Sequence, residues 1–284
     1  MTKLIALVDG SIYSQSVCDH AAWIANRTGS AVEVLHVLGR RETGGAPINL
    51  SGNITLGAHT ALLEELSALD EQRAKLWQKR GRAILDDATA RLEAAGVGAV
   101  TTRLRIGDIV ETVAEYEADA EMVVIGKRGE AADFARLHLG SNLERIARTS
   151  SRPLFVASRA FRPIQRFLIA YDGGTSSMKA VDYVARSPLF AGLQCRLLMV
   201  GAQSEEARKR LGDAQSVLRA GGYVVEAEIV LGQPETVIAQ AVETEGIDLV
   251  VMGAYGHSRI RSLIIGSTTT EMVRSCKIPV VLFR

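Results

Sequence analysis

The sequence predicts two tandem α/β domains, each a doubly wound, mainly parallel sheet of five strands flanked by helices. Two observations predict this fold class. Short apolar segments recur in the same order in both parts of the chain, and strand-like runs alternate with helical stretches throughout. The length of 284 residues also agrees with about two domains.

The internal repeat defines the organisation of the chain. The matching segments are 4–10 with 167–173, 35–37 with 198–200, 122–126 with 249–253, and 152–156 with 278–282. The offset falls from 163 to 127, which indicates an insertion of about 36 residues in the first repeat, between its second and third strands. We therefore predict a first domain at 1–160, with an insertion at about 40–80, and a second domain at 163–284.

Strands are predicted where the chain is apolar over four to eight residues, and several of these runs are continuous, as in strands buried on both faces of a parallel sheet. The predicted strands are 3–8, 31–37, 98–105, 121–126 and 153–157, then 166–171, 194–200, 223–230, 248–253 and 279–283. Predicted helices include 14–28, 108–118 and 141–150. Alternating strands and helices imply right-handed crossovers and a Rossmann-like sheet, which binds ligands at the carboxyl ends of its strands, where the winding reverses.

The insertion combines a loop with a helix. Residues 39–57 are rich in Gly, Asn and Ser, whereas 59–94 predict one long or broken helix with an apolar stripe. The stripe contains Leu62, Leu63, Leu66, Leu69, Leu76, Trp77, Ile84, Leu85 and Leu92. This stripe could pack in the core, cover the site of the first repeat, pack on the second, or bind another chain.

Composition limits the partners and the compartment. The net charge of +1, with both signs interspersed, gives no reason to expect nucleic acid or an anionic membrane as a partner. The three scattered cysteines predict apolar filler in a reducing compartment. The apolar run at the N-terminus is too short for a signal peptide, and no segment approaches the ~18 residues of a membrane span. We therefore expect a cytoplasmic protein.

A glycine-rich loop follows the fourth strand of the second repeat. Gly253 and Gly256 are separated by two residues, and nine residues later Gly266-Ser267-Thr268 opens a helix. Glycines allow the backbone to approach a ligand closely. A helix N-terminus with free N–H groups attracts phosphate. The alternative is that the glycines only form turns and a hydroxyl only caps the helix.

The spacing G-x2-G-x9-G-[ST] after the fourth strand, together with an Asp that ends the first, resembles the ATP-binding subgroup of the universal stress proteins. The resemblance covers the whole chain as a tandem pair, apart from the insertion. It implies ATP, ADP or AMP as the ligand, and it leaves open whether Mg²⁺ accompanies the phosphates. The nucleotide-binding residues that it implies are Asp172, Val200, Met252, Gly253, Gly256, Gly266, Ser267 and Thr268.

The same loop in the first repeat departs from the pattern by one residue, because ten residues separate Gly129 from Gly140. A second nucleotide site would use Asp9, Val37, Ile125, Gly126, Arg128, Gly129, Gly140, Ser141 and Asn142. Lys127 and Arg128 could add positive charge for a phosphate, whereas Glu130 and Asp133 would oppose it. The extra residue is either absorbed or closes the site.

Other polar residues have structural alternatives. His36 lies within a strand and is expected to be packed, and His257 is expected to be a solvated loop residue. Asp9 and Asp172 could form Asx turns at the ends of their strands. Their position at the expected switch point favours contact with adenosine instead.

Enzymatic motifs are missing from the sequence. We find no P-loop, no GxSxG elbow, no zinc-ligand cluster and no persuasive general base, so we assign no catalytic or metal residues. We expect a nucleotide-responsive stress-response regulator. The alternatives are a slow ATP-hydrolysing enzyme, or a dimerisation scaffold that binds no nucleotide. The resemblance also implies an intramolecular pseudo-dimer of the two domains, and we expect a homodimer.

Overall fold

The structure is a computed structural model that describes residues 2–39, 56–129, 140–254 and 267–284. The first repeat contains β1 (Lys3–Leu7), α1 (Ile12–Thr28), β2 (Ala31–Leu38), α2 (Leu56–Ala94), β3 (Val100–Ile106), α3 (Ile109–Tyr116), β4 (Ala120–Gly126), α4 (Ser141–Thr149) and β5 (Leu154–Ala157). The second contains β6 (Arg166–Ala170), α5 (Thr175–Arg186), β7 (Gln194–Val200), α6 (Glu205–Ala220), β8 (Val225–Val230), α7 (Pro234–Thr244), β9 (Leu249–Gly253), α8 (Ser267–Ser275) and β10 (Val280–Phe283). Short 3₁₀ turns at Glu117–Asp119 and Pro188–Phe190 complete these elements.

The ten strands in the described residues form one continuous sheet in the order β3-β2-β1-β4-β5-β10-β9-β6-β7-β8. Neighbouring strands within each repeat are parallel, whereas β5 and β10 are antiparallel, with Val156 opposite Val280 and Leu154 opposite Leu282. The predicted α/β class with mainly parallel, doubly wound sheets is confirmed. The last strands of the two repeats pair edge to edge, so the repeats face each other about an approximate twofold axis.

The apolar core is divided by the faces of the sheet and not by the repeats. Neighbouring residues of one strand contribute to opposite faces, and each of the two buried clusters contains strands from both repeats. One cluster includes Leu4, Phe155, Phe167 and Val281, and the other includes Ile5, Val156, Leu168 and Val280. The β5–β10 pairing makes both apolar layers continuous across the two repeats.

Polar contacts also join the two repeats. The Tyr183 hydroxyl donates to Glu121 Oε1 at 2.9 Å, and Arg27 Nε donates to the carbonyl of Leu189 at 2.6 Å. The buried ammonium of Lys127 donates to the carbonyl of Cys276 at the end of α8. Burial lowers the pKa of Lys127 to about 8, although the lysine remains mostly protonated at neutral pH.

The predicted long helix is a single helix, α2, and its C-terminal part packs on the sheet. Leu85, Ala88 and Leu92 are buried in the core, whereas Leu69 and Leu76 are 53% and 68% exposed. Core packing is therefore the wrong explanation for Leu69 and Leu76. The predicted loop at 39–57 falls largely on residues 40–55, outside the described residues. Despite its length α2 is not apolar enough to cross a membrane, nor is any other helix in the described part of the chain.

The three cysteines are buried and unpaired, as expected for apolar filler. Burial raises the pKa of Cys18 and of Cys195 to about 12. A thiol with so high a pKa carries little of the nucleophilic thiolate at neutral pH. These two cysteines are therefore structural and not reactive groups.

Candidate functional site at the winding reversal of the second repeat

The winding of the second repeat reverses at β6, which lies between β7 and β9. The chain runs from β6 through β7 to β8 on one side, and then returns to β9 on the other. Ala170 near the end of β6 is opposite Met252 near the end of β9, so Asp172 and Gly253 emerge at the same edge. This edge is where doubly wound sheets bind their ligands.

Asp172 is an exposed carboxylate held in a fixed orientation. Its Oδ1 accepts hydrogen bonds from the backbone N–H of Gly174 at 2.8 Å and from the hydroxyl of Ser177 at 2.5 Å. Gly173, which lies between Asp172 and Gly174, has φ of +76°, a left-handed conformation that favours glycine. The Asx-turn alternative is therefore confirmed, and it leaves the carboxylate on the surface, where contact with adenosine stays a prediction.

Gly253 is required by packing at the end of β9. A Cβ on this residue would lie 3.0 Å from both Ser176 Cβ and Ser177 N. Among the described residues the close neighbour of Gly253 is the first turn of α5, and the close approach of a ligand to Gly253 stays a prediction. The glycine thereby brings α5 and the Asp172 turn close to the end of β9.

The N-terminus of α8 lies beside the same strand end. The buried hydroxyl of Thr269 is 3.3 Å from the carbonyl oxygen of Gly253 and 3.4 Å from that of Ala254. Because α8 begins at Ser267, its first N–H groups and the positive end of its dipole lie at this edge, together with the half-buried Thr268. Only the helical backbone of Ser267 is described, and Gly256, Gly266 and His257 lie outside the described residues.

The peptide group of Val200 faces the crevice between β6 and β7. The carbonyl of Leu198 accepts from the N–H of Tyr171 at 2.9 Å, so it points toward β6. Residues two apart on a strand direct their peptide groups to the same side. The backbone N–H and C=O of Val200 therefore also point toward the β6 side. Val200 lies beyond Ala170, the last residue of β6 that pairs with β7. Met252, also predicted at the site, is 5% exposed in the core below it.

The first repeat brings several of its predicted residues together. Asp9 Oδ1 accepts from the N–H of Ser11 at 3.0 Å and from the hydroxyl of Ser14 at 3.2 Å. A Cβ on Gly129 would lie 2.8 Å from Asp9 Oδ2, and one on Gly140 would lie 3.3 Å from the carbonyl of Lys127. The glycine loop thus lies directly against Asp9, which is half-buried, whereas Asp172 is exposed.

The remaining predicted residues of the first repeat surround this contact. Ile125 is buried, Val37 and Arg128 are half-buried, and Asn142 is exposed in the first turn of α4. Gly126 contacts Tyr13, since a Cβ there would lie 2.7 Å from Tyr13 Cβ. Of Ser141 only the backbone that begins α4 is described, and Glu130 and Asp133 lie outside the described residues.

The position of Lys127 contradicts one expectation for the glycine loop of the first repeat. Its side chain was expected to add positive charge for a phosphate, but it is 8% exposed and bonded to the carbonyl of Cys276 in the second repeat. The contact with α8 arises only because β5 and β10 pair. His36 is packed, as expected: it is buried, and its Nδ1 donates to the carbonyl of Val8 at 2.7 Å.

Sequence reasoning missed two pairs of residues at these sites. Ser14 and Ser177 each follow the strand-end Asp by five residues, so the repeated pattern D-G-x3-S carried a usable signal. Arg80 of α2 and Arg210 of α6 lie over the glycine after that Asp. A Cβ on Gly173 would lie 3.1 Å from Arg210 Cδ, and one on Gly10 would lie 3.8 Å from Arg80 Nη2. No repeated pattern marks these arginines, because the insertion makes the sequence distance from the strand-end Asp to the arginine different in the two repeats.

Comparison with known proteins agrees with this architecture. The model of the Universal stress protein family matches residues 1–158 and 196–284. Universal stress protein Slr1230 of Synechocystis is 38% identical over 287 aligned residues, which cover 100% of both chains. The crystal structure of a universal stress protein from Archaeoglobus fulgidus has the same fold, with a TM-score of 0.75, 20% identity, and coverage of 99% of this chain and 98% of that one. The chain belongs to the universal stress protein family.

Proposed function

We propose that this chain binds ATP or another adenine nucleotide, chiefly in its second repeat, and acts as a nucleotide-responsive regulator of the cytoplasmic stress response. The observation that carries the proposal is the exposed and oriented carboxylate of Asp172, beside the N-terminus of α8 at the winding reversal. The glycine spacing that resembles the ATP-binding subgroup supports the same ligand class.

The chemistry of the described groups suits an adenine nucleotide. Asp172 accepts hydrogen bonds, which the hydroxyls of a ribose donate. Val200 offers a peptide N–H and C=O toward the crevice, and the edge of adenine carries matching acceptors and donors. The N-terminus of α8 provides N–H groups and a positive dipole for phosphates. These groups bind and orient a nucleotide, and none of them is a positioned base, so we propose binding with little turnover.

The two repeats are proposed to differ in affinity because their strand-end carboxylates differ in exposure. In the first repeat Gly129 lies against Asp9, so a nucleotide that used Asp9 would have to displace this loop. Asp172, by contrast, is exposed. We therefore propose that the second site fills first, and that the first binds more weakly or not at all.

The test is to denature freshly purified protein and identify the released nucleotide by mass spectrometry. The matched variants are Asp172→Ala and Asp9→Ala, because both remove the acceptor of an equivalent turn. About one nucleotide per chain, lost in Asp172→Ala and retained in Asp9→Ala, is the expected result. Loss in Asp9→Ala alone would move the site to the first repeat.

A second measurement covers protein that loses its ligand during purification. ATP at a hundredfold excess over its dissociation constant stabilises the folded state by about 2.7 kcal/mol. Wild type and Asp9→Ala should therefore show a clear rise in melting temperature with ATP, and Asp172→Ala should show little. No released nucleotide and no shift in the wild type would reject nucleotide binding in favour of a scaffold.

A further inference from the structure

Residues 64–80 of α2 carry two leucines, Leu69 and Leu76, that face solvent. We call residues 64–80 of this helix the α2 arm. Within the arm, Leu69 is 53% exposed and Leu76 is 68% exposed. Seven residues make about two helical turns, so the two leucines lie on one face. Leu66, three residues before Leu69, is half-buried beside them.

The two exposed leucines point away from the face of α2 that packs on the sheet. The part of α2 that packs on the sheet buries Leu85, Ala88 and Leu92. At about 100° per residue, Leu76 lies roughly 180° around the helix from Leu85. The exposed leucines therefore do not continue the packed face, and no other part of the described chain buries them.

Charge is segregated along the same arm. Its first part carries four acidic residues and no basic ones, Glu64, Glu65, Asp70 and Glu71. The following part carries only basic charges, Arg73, Lys75, Lys79 and Arg80. Two such helices packed in parallel would place like charges side by side. Packed antiparallel, each acidic part faces a basic part.

We propose that two copies of this chain associate through their α2 arms, packed antiparallel about a point midway between Gln72 and Arg73. In this arrangement Leu69 of one chain lies opposite Leu76 of the other, and Asp70 lies opposite Lys75 of the other. Lys75 already makes an exposed ion pair with Glu71 of its own helix at 2.7 Å. Exposed ion pairs contribute little energy, so Lys75 can also bind Asp70 of the other chain. The partner is therefore a second copy of the chain.

The organisation of the sheet supports association through a helix. The edges of β5 and β10, which could pair with another chain, are already joined to each other within one chain. A dimer therefore needs a different surface, and the arm offers one that is both apolar and self-complementary in charge. The inference does not depend on nucleotide binding.

The first experiment is sedimentation velocity on the full chain across two decades of concentration. The wild type should show a reversible monomer–dimer equilibrium, and Leu69→Glu with Leu76→Glu should shift the midpoint at least tenfold to higher concentration. The matched control is Val224→Glu with Leu231→Glu, since these residues are 90% and 79% exposed elsewhere on the surface. A wild type that stays monomeric overturns the proposal, and so does a dimer that only the control pair weakens.

The second experiment tests orientation. Asp70→Lys and Lys75→Asp should each weaken the dimer, and the double variant should restore it, because an antiparallel pair then exchanges its opposite charges. In a parallel pair every variant leaves like charges adjacent, and no rescue occurs. Circular dichroism of each variant confirms that α2 stays helical. A double variant as weak as the single ones would overturn the antiparallel arrangement.

Discussion

The hydroxyl of Ser177 donates a hydrogen bond of 2.5 Å to Asp172 Oδ1, and Ser14 makes the equivalent bond of 3.2 Å to Asp9 in the first repeat. Both serines stand five residues after the Asp, in the first turns of α5 and α1. Each fixes the orientation of a carboxylate at the winding reversal of its own repeat. Their equivalence gives a matched pair for testing which repeat binds nucleotide.

We predict that Ser177→Ala lowers the affinity for ATP about tenfold, whereas Ser14→Ala leaves it unchanged. A hydrogen bond to a charged group contributes roughly 1.5 to 3 kcal/mol, and without it the Asp172 carboxylate is less well oriented. Isothermal titration of both variants measures the difference. An equal loss in the two would contradict a site confined to the second repeat.

Gly253 provides a prediction about stability. Gly253→Val should destabilise the fold by about 1 to 3 kcal/mol, because the new Cβ would meet Ser176 and Ser177 at 3.0 Å. Urea unfolding measures this change. Gly212→Ala is the control, since Gly212 lies within α6 with nothing near its Cβ position, and the substitution should stabilise the helix by about 0.5 to 1 kcal/mol. Unchanged stability in Gly253→Val would mean that the start of α5 can move away.

His20 provides a prediction about pH. It is fully buried, its Nδ1 donates to the carbonyl of Ser16 at 2.7 Å, and its Nε2 has no hydrogen-bond partner among the described residues. Burial lowers the pKa of His20 to about 4, because the charged ring would lose its solvation.

The unfolded chain takes up a proton on His20 near pH 6.5, and the folded chain does so only near pH 4. The free energy of unfolding should therefore fall as the pH decreases from 6.5 to 4, by on the order of 3 kcal/mol from this residue. Urea titrations across this range measure the slope, and His20→Gln should flatten it. A slope that persists in His20→Gln would assign the effect to other groups.

The continuous sheet predicts that the two repeats unfold together. Both apolar layers cross the β5–β10 pair, and the Tyr183–Glu121 bond joins the repeats beside it. Calorimetry should show one transition. Tyr183→Phe should lower its temperature, because Glu121 loses a donor, whereas Tyr223→Phe should not affect the contact between repeats, since its hydroxyl bonds to Val184 within the second. Two separate transitions in the wild type would contradict this prediction.

The sequence by itself determined the fold class, the strand and helix order, and the equivalence of the two repeats. These features depend on local periodicity and on residues that recur at a fixed offset, such as Asp9 and Asp172. The length of α2 also followed from its helical pattern, whereas the sequence left open whether the helix is continuous or broken. Every strand prediction lies within two residues of the observed bounds, and the two-residue differences occur at β3 and β8, the edge strands, where exposure weakens the apolar signal.

Only the tertiary structure decided which groups these elements bring together. The pairing of β5 with β10 extends both apolar layers across the two repeats, and Lys127 bonds to Cys276 instead of adding charge for a phosphate. It also decided that Gly129 lies against Asp9 while Asp172 is exposed, and that Leu69 and Leu76 face solvent. Such contacts join residues far apart in the chain, so they depend on how the elements pack against one another, which local sequence patterns do not encode.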